Sequence, residues 1–240
     1  MPTIFTPTDI VDPWFSGDLV ATGPRSTKAA AKTEPARNEW PAVTIGRPQC
    51  WDLAELASAK GTQLPAELRL LLDASDFRLL QLAFSFHPKR GTQVNWARFE
   101  VGLDLGEGSA SAVAYDVYPK EVTKRVDRNV KLTISPSLKL AGAEASLGSL
   151  TTDIAMAKVE PSVIAYGLME ATPSWDFTAH PQAPLVGSRF VYIIVQKPKG
   201  SGPLTANLRI VVNVAGPRGM FRAALKTETG DSLSVVACER

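Results

Sequence analysis

Ser188-Arg-Phe-Val-Tyr-Ile-Ile-Val-Gln-Lys197 runs through Pro198-Lys-Gly-Ser-Gly-Pro203 into Leu204-Thr-Ala-Asn-Leu-Arg-Ile-Val-Val-Asn-Val-Ala215, and this stretch decides the fold. Phe190 to Val195 leaves no polar face. So short a run of β-branched and aromatic residues predicts a strand buried on both sides. In the second run Leu208, Ile210, Val212 and Val214 alternate with Arg209, Val211 and Asn213, the pattern of a half-buried strand. The Pro/Gly-rich connector between them predicts a hairpin at the centre of an all-β domain.

Strand patterns continue in both directions from there. Leu80, Leu82, Phe84 and Phe86 share one face of the segment from Arg78 to His87. Ala97, Phe99, Val101, Leu103 and Leu105 alternate with Arg98, Glu100, Gly102 and Asp104. Ser111 to Tyr118, Asn129 to Leu140, Ser162 to Met169, Trp175 to Thr178, Met220 to Lys226 and Leu233 to Cys238 complete the set, with turn signals between them. Many short strands without interleaved helices predict an antiparallel β-sandwich, jelly-roll-like, over residues 49–240. One or two short helices precede it. Leu53, Leu56 and Ala57 have helical spacing before Gly61, and Pro65 opens a second candidate.

Residues 1–48 predict an extended N-terminal arm. Gly23 to Arg37 holds hardly any large apolar residue and cannot offset its ordering entropy by burial. Trp14, Phe15 and Trp40 flank that stretch and are candidate anchors on a neighbouring subunit or partner protein. Trp175, in Pro173-Ser-Trp-Asp-Phe177, carries two readings, a partner-anchoring surface and a core tryptophan closing one end of the sandwich. On the arm reading, deleting residues 1–48 abolishes assembly and leaves the β core folded.

The totals bound the function classes. A chain of 240 residues with 45% hydrophobic and 21% charged residues has an ordinary globular composition. A net charge of +2 is too mild to imply a nucleic acid or an anionic membrane. The Met1-Pro-Thr-Ile-Phe-Thr start lacks the basic and apolar regions of a signal peptide, and no run reaches the ~20 apolar residues of a spanning helix. Cys50 and Cys238 allow a disulfide, but two cysteines make no framework, and read as two thiols they set the expectation of a cytoplasmic address.

Chemistry-bearing residues are sparse. His87 and His180 are each followed by proline and have no Gly-x-Ser-x-Gly elbow or second metal ligand nearby in sequence. Gly106-Glu-Gly108 precedes a strand pattern rather than a helix, so it is a turn and not a phosphate loop. Asp104 and Glu107 lie on an outward face and in a turn, which is no basis for a carboxylate dyad. No enzyme activity, catalytic residue, metal or cofactor is expected.

Lys124, Arg125, Arg128 and Lys131 form the densest basic stretch, the place where nucleic acid would bind, but Glu121 and Asp127 dilute it. Lys131 to Leu140 and Ala143 to Ala157 together have the length of two membrane-crossing β-strands. Two functions therefore stand: a non-enzymatic binding or self-assembling structural module whose arm engages a partner or a second copy, and, alternatively, a pore-forming-like membrane-acting β protein using residues 131–157.

Overall fold

The computed structural model describes residues 13–22, 40–59, 61–106, 111–122, 162–180, 184–216, 219–225 and 232–238. They form β1 (Pro13–Ala21), β2 (Ala42–Gly46), β3 (Gln49–Asp52), α1 (Leu53–Ala59), α2 (Ala66–Leu71), β4 (Ser75–His87) and β5 (Gln93–Asp104). The chain continues with β6 (Val113–Tyr118), β7 (Glu121–Val122), β8 (Ser162–Tyr166), β9 (Ser174–Thr178), β10 (Gly187–Pro198), β11 (Leu204–Gly216), β12 (Gly219–Leu225) and β13 (Leu233–Cys238).

These strands build one predominantly antiparallel sheet in the order β6-β10-β4-β2-β1-β12-β11-β5-β9-β8-β7, with β3 beside β4 and β13 beside β11. The sheet curls on itself at β1. The first part of that strand pairs with β2 (Ser16↔Thr44, Asp18↔Ala42) and its last residues pair with β12 (Leu19↔Leu225, Val20↔Ala224). At the other end of the path, β6 and β7 are separated in sequence only by Pro119 and Lys120. Covalent connections therefore join the two halves on both sides.

Alternation determines what fills the interior. Leu80, Leu82, Phe84 and Phe86 of β4 point inward with Val191, Ile193 and Val195 of β10. From the other half come Ala97, Phe99 and Val101 of β5, Phe177 and Trp175 of β9, and Ile210 and Val212 of β11. The two halves meet ring to ring: Phe84 lies 4.6 Å from Phe99 and 5.2 Å from Phe177, centroid to centroid. Burying each such ring contributes about 1.5–3 kcal/mol, so this one cluster accounts for a large share of a typical net stability.

β10 is buried on both faces, as the unbroken run Phe190–Val195 predicts. Its other face, Tyr192 and Ile194, joins Phe77 and Leu79 beneath the helices, where Leu53, Leu56, Ala57 and Leu68 complete a second small core. Both helices form where expected. The Asp52 carboxylate accepts the amides of Ala54 and Glu55 at 2.9 and 3.0 Å, an N-cap for α1. At the other end Thr62 N–H donates to Ala57 O and Gly61 N–H to Ser58 O, both 3.0 Å, with Gly61 at φ +65. This is a Schellman stop that a glycine at that place provides.

Three expectations are corrected. First, β10 and β11 form no hairpin: β10 pairs with β4 and β6, whereas β11 pairs with β5, β12 and β13. Each strand has partners on both edges, so the Pro/Gly connector arches between the halves instead. An arch and a hairpin need the same turn residues, which is why composition does not separate them. Second, residues 13–21 and 42–46 of the expected arm are strands of the sheet, and β1 is the strand through which its halves connect. Residues 1–12 and 23–39 lie outside the described residues. Third, Cys50 and Cys238 are not free thiols but a disulfide, with Cα atoms 5.4 Å apart. It ties β3 to β13 across a sequence separation of 188 residues. Its source is tertiary: two edge strands from opposite ends of the chain come together, which no spacing rule foretells.

The architecture makes three outcomes measurable. A chain beginning at Thr44 lacks β1 and should lose the cooperative unfolding transition, checked by circular dichroism melts; an unaltered melt would refute the corner role of β1. The paired substitution Cys50→Ala/Cys238→Ala should cost about 2–5 kcal/mol, read as a fall of roughly 5–15 °C in Tm relative to the oxidised protein. Burial pushes the Tyr192 phenol up to about 12 from its ordinary 10.0, against a weaker opposing effect of the hydrogen bond donated by Gln81. A raised pKa means that the neutral phenol stabilises the fold. That stability is complete below pH 10 and is lost as pH climbs from 10 toward 12. Urea melts across that range should show a loss that the Tyr192→Phe variant lacks.

Candidate functional site

β5, β9, β8 and β7 form one end of the sheet. β7 pairs with β8 through Glu121↔Ile164 and Val122↔Val163, so residues 122 and 162 lie at neighbouring positions on adjacent strands. Inward from this root, Val163, Trp175, Phe177 and Phe99 anchor the strands in the core. Trp175 Nε1–H donates to Pro119 O at 3.0 Å, and Ala165 N–H donates to Lys120 O at 2.8 Å. These bonds fix the short link from β6 to β7, and the buried Asp116 carboxylate holds Lys120 at 2.8 Å.

The outward face is a different surface. Because paired residues project to the same side, Glu121, Ile164, Asp176 and Arg98 make one row across β7, β8, β9 and β5. Arg98 stands at the β5 end of that row, beside Asp176. Its Nε–H and Nη2–H donate to the two Asp176 oxygens at 2.7 and 2.8 Å, a bidentate pair. The guanidinium also lies 5.7 Å from the Trp96 ring centroid and 5.8 Å from that of Tyr166. The Asp176 hydrogen bond raises the Arg98 pKa further above its ordinary value, with burial working against it.

Along β8 and beyond it, Ile164, Tyr166, Leu168 and Met169 are each about half exposed and form an apolar strip. The turn that carries the last two is tightly constructed. Gly167 has φ +82, and a Cβ there would stand 2.8 Å from Pro173 Cα. Met169 adopts φ 62, rare for a side chain of its size. Backbone bonds hold the turn to two neighbours: Ala114 N–H to Glu170 O and Met169 N–H to Ala114 O on β6, and Leu103 N–H to Ala171 O on β5. So rigid a turn keeps Leu168 and Met169 in water at a definite place.

The residues singled out in the sequence are scattered. Trp40 is buried edge-on against Phe221, with centroids 5.9 Å apart, and Trp175 is fully buried. Neither side chain reaches the surface where a partner contact would form, because two large rings contribute more to the core than a flexible contact offers. Trp14 and Phe15 are half-buried on β1 and pack against the main core. Lys124, Arg125, Arg128 and Lys131, the 131–157 segment and Glu107 lie outside the described residues. His87 Nε2 lies 3.0 Å from Thr44 Oγ1, which in turn is 2.9 Å from Ser16 Oγ. Among the described residues no group of three or more His, Cys, Asp or Glu side chains is placed to hold a metal ion.

The cluster that the structure does assemble, Trp96, Arg98, Tyr166 and Asp176, draws on three strands. Its sequence signal was the polar side of β5, where Trp96 and Arg98 alternate with core residues. The arrangement holds no nucleophile with a base. It presents an aromatic, charge-paired surface.

No family model matches the chain, and no curated protein matches it. Among solved structures, one described as a pore forming protein aligns over 84% of this chain and 92% of its own at 8% identity, with a TM-score of 0.30. Clostridium perfringens delta-toxin aligns over 84% and 90% at 6% identity, also with a TM-score of 0.30. At that TM-score the superpositions carry no argument about fold or action, and neither identifies a partner.

Two measurements probe this face. In a double-mutant cycle, Arg98→Ala and Asp176→Ala should show a coupling of about 1 kcal/mol in urea melts, since the pair is only partly screened by water. Gly167→Ala should destabilise by more than about 2 kcal/mol, combining a left-handed φ with a backbone clash.

Proposed function

We propose that this is a non-enzymatic, membrane-acting β protein that works as an assembly of copies, with residues 123–161 supplying a hairpin from each. The observation that carries the reading is the pairing of β7 with β8. Whatever residues 123–161 form, both their ends start from neighbouring, hydrogen-bonded antiparallel strands, and a hairpin continues such a pair with no change of direction.

The sequence of the segment fits. Val130, Leu132, Ile134, Leu138 and Leu140 alternate with Lys131, Thr133, Ser135, Ser137 and Lys139, apolar to one side and polar to the other. Ala143 to Ala157 returns with a looser mixture of small, polar and apolar residues. A bilayer-crossing strand needs ~9–11 residues, and both runs reach that length. Two strands alone leave unpaired backbone edges in hydrocarbon, which only a closed barrel avoids. Since membrane barrels begin at about eight strands, about four or more copies must each contribute a hairpin. Self-assembly is thus a requirement of the membrane reading.

In this reading the curled sheet is a two-layer sandwich that remains in water, and the apolar strip along β8 lies beside the root of the hairpin. The disulfide supports an oxidising compartment outside the cytoplasm as the place of action.

The test is dye release from vesicles of phosphatidylcholine, phosphatidylglycerol and cholesterol, together with sedimentation of the detergent-extracted protein. Full-length protein should release dye and sediment as an oligomer. A variant in which a short Gly-Asn-Gly turn joins Val122 to Ser162 should keep its melting transition and release none. Release by that variant, or a full-length protein inert toward every vesicle composition across pH 4–8, rules the reading out.

A further inference from the structure

The seam between the two halves of the sheet is closed in two different ways. At one end β1 fills it, bonded to β2 on one side and to β12 on the other. There β2 pairs with Phe84 to His87 of β4, and β12 with Val211 to Gly216 of β11. Further along the same two edges β3 pairs with Arg78 to Gln81 of β4, and β13 with Leu204 to Leu208 of β11. Among the described residues no strand lies between β3 and β13, and no backbone ladder joins them.

The Cys50–Cys238 bond spans that gap. Its Cα atoms are 5.4 Å apart, close to the separation of about 5.5 Å between residues paired across an antiparallel ladder. Cys50 is the ladder partner of Leu80, and Cys238 that of Leu204. Both leucines are fully buried in the main core. Leu80, Cys50, Cys238 and Leu204 therefore make a row across the seam in which a sulfur–sulfur bond stands where β1 elsewhere supplies backbone hydrogen bonds.

The two closures respond to different chemistry. A backbone ladder is indifferent to thiols, whereas a disulfide exchanges with them. β3 and β13 are short, four and six residues, and the β13 pairing carries a register shift between Leu204 and Thr205. Phe84, by contrast, pairs with Ile45 of β2, so the phenylalanine cluster lies at the hydrogen-bonded end of the seam. Cys238 is 3% exposed but Cys50 is only partly buried, which makes β3 the side of approach for a thiol.

We propose that the Cys50–Cys238 bond is a redox latch. Reduction opens the seam between β3 and β13 over Leu80 and Leu204, while β1 keeps the rest of the sheet closed. The reductant is a dithiol. One of its thiolates attacks Cys50 Sγ, and Cys238 leaves as a thiolate. Its second thiolate then displaces Cys50 and closes the reductant's own disulfide, so that two electrons and two protons pass to the protein as two cysteine thiols. The seam is thus shut where disulfides persist and opens where thiols are abundant. Neither β3 nor β13 pairs with β7 or β8, and the latch stands or falls without the membrane reading.

The experiment is hydrogen exchange of the full-length protein, read by mass spectrometry before and after dithiothreitol without denaturant. Iodoacetamide should alkylate both cysteines after the treatment and neither before it. Peptides holding residues 49–52 and 233–238 should then exchange at least about tenfold faster, whereas those holding 13–21, 42–46 and 219–225 keep their rates within about twofold. Reoxidation with glutathione disulfide should restore slow exchange. The Cys50→Ala/Cys238→Ala variant should exchange like the reduced protein and ignore dithiothreitol; the reduced native protein keeps the test alive should that variant fail to fold. Cysteines that resist alkylation under dithiothreitol, or unchanged exchange at β3 and β13 once both are alkylated, would overturn the assignment. Loss of protection in β1 and β12 together with β3 and β13 would overturn it too, because the opening is then global unfolding.

Discussion

The contact of Phe84 with Phe99 and Phe177 is the constraint on which the rest of the molecule depends. β4 and β5 are consecutive strands, yet they belong to opposite halves of the curled sheet, and the rings between them bring those halves together. A sheet that curls so tightly must be pinned at its margins. On one side β1 crosses from β2 to β12, and on the other the Pro119-Lys120 link joins β6 to β7. The disulfide fastens a third place, where the edge strands β3 and β13 meet. Packing supplies the attraction, and these ties select the arrangement in which it acts.

Much of this was legible in alternation. Inward sets such as Leu80-Leu82-Phe84-Phe86 and Ala97-Phe99-Val101 follow from a period of two, and the two-sided burial of β10 follows from its unbroken apolar run. Alternation assigns faces, however, and not neighbours. The pairing of β10 with β4 and β6 and of β11 with β5, β12 and β13 depends on chain reversals that turn residues permit without specifying. The same limit hid the disulfide and made β1 resemble part of an arm, since Gly23 to Arg37 beside it has so little to bury.

The outward cluster was harder to read for a related reason. Trp96 and Arg98 are visible as the polar side of β5, but Asp176 and Tyr166 come from strands more than sixty residues downstream. Only the register Arg98↔Asp176↔Ile164 brings them into one row. Trp175 illustrates the converse. As a short motif it carries both a surface-anchor and a core reading, and the ladder turns it to the inner face, where its indole N–H meets the Pro119 carbonyl.

The strands on either side of residues 123–161 have a mechanical logic. Among the described residues β7 contributes two residues to the sheet and pairs with β8 through both. Just before it, the indole bond to Pro119 O, the Ala165 amide on Lys120 O and the Asp116–Lys120 ion pair hold the chain firmly. Just after it, β8 is secured along its length to β9 from Ser162↔Thr178 to Tyr166↔Ser174. The residues on either side of 123–161 are thus held to the sheet by backbone and side-chain bonds. The membrane reading proposed above requires a frame that stays folded, and these bonds are the features of the described residues that serve that requirement.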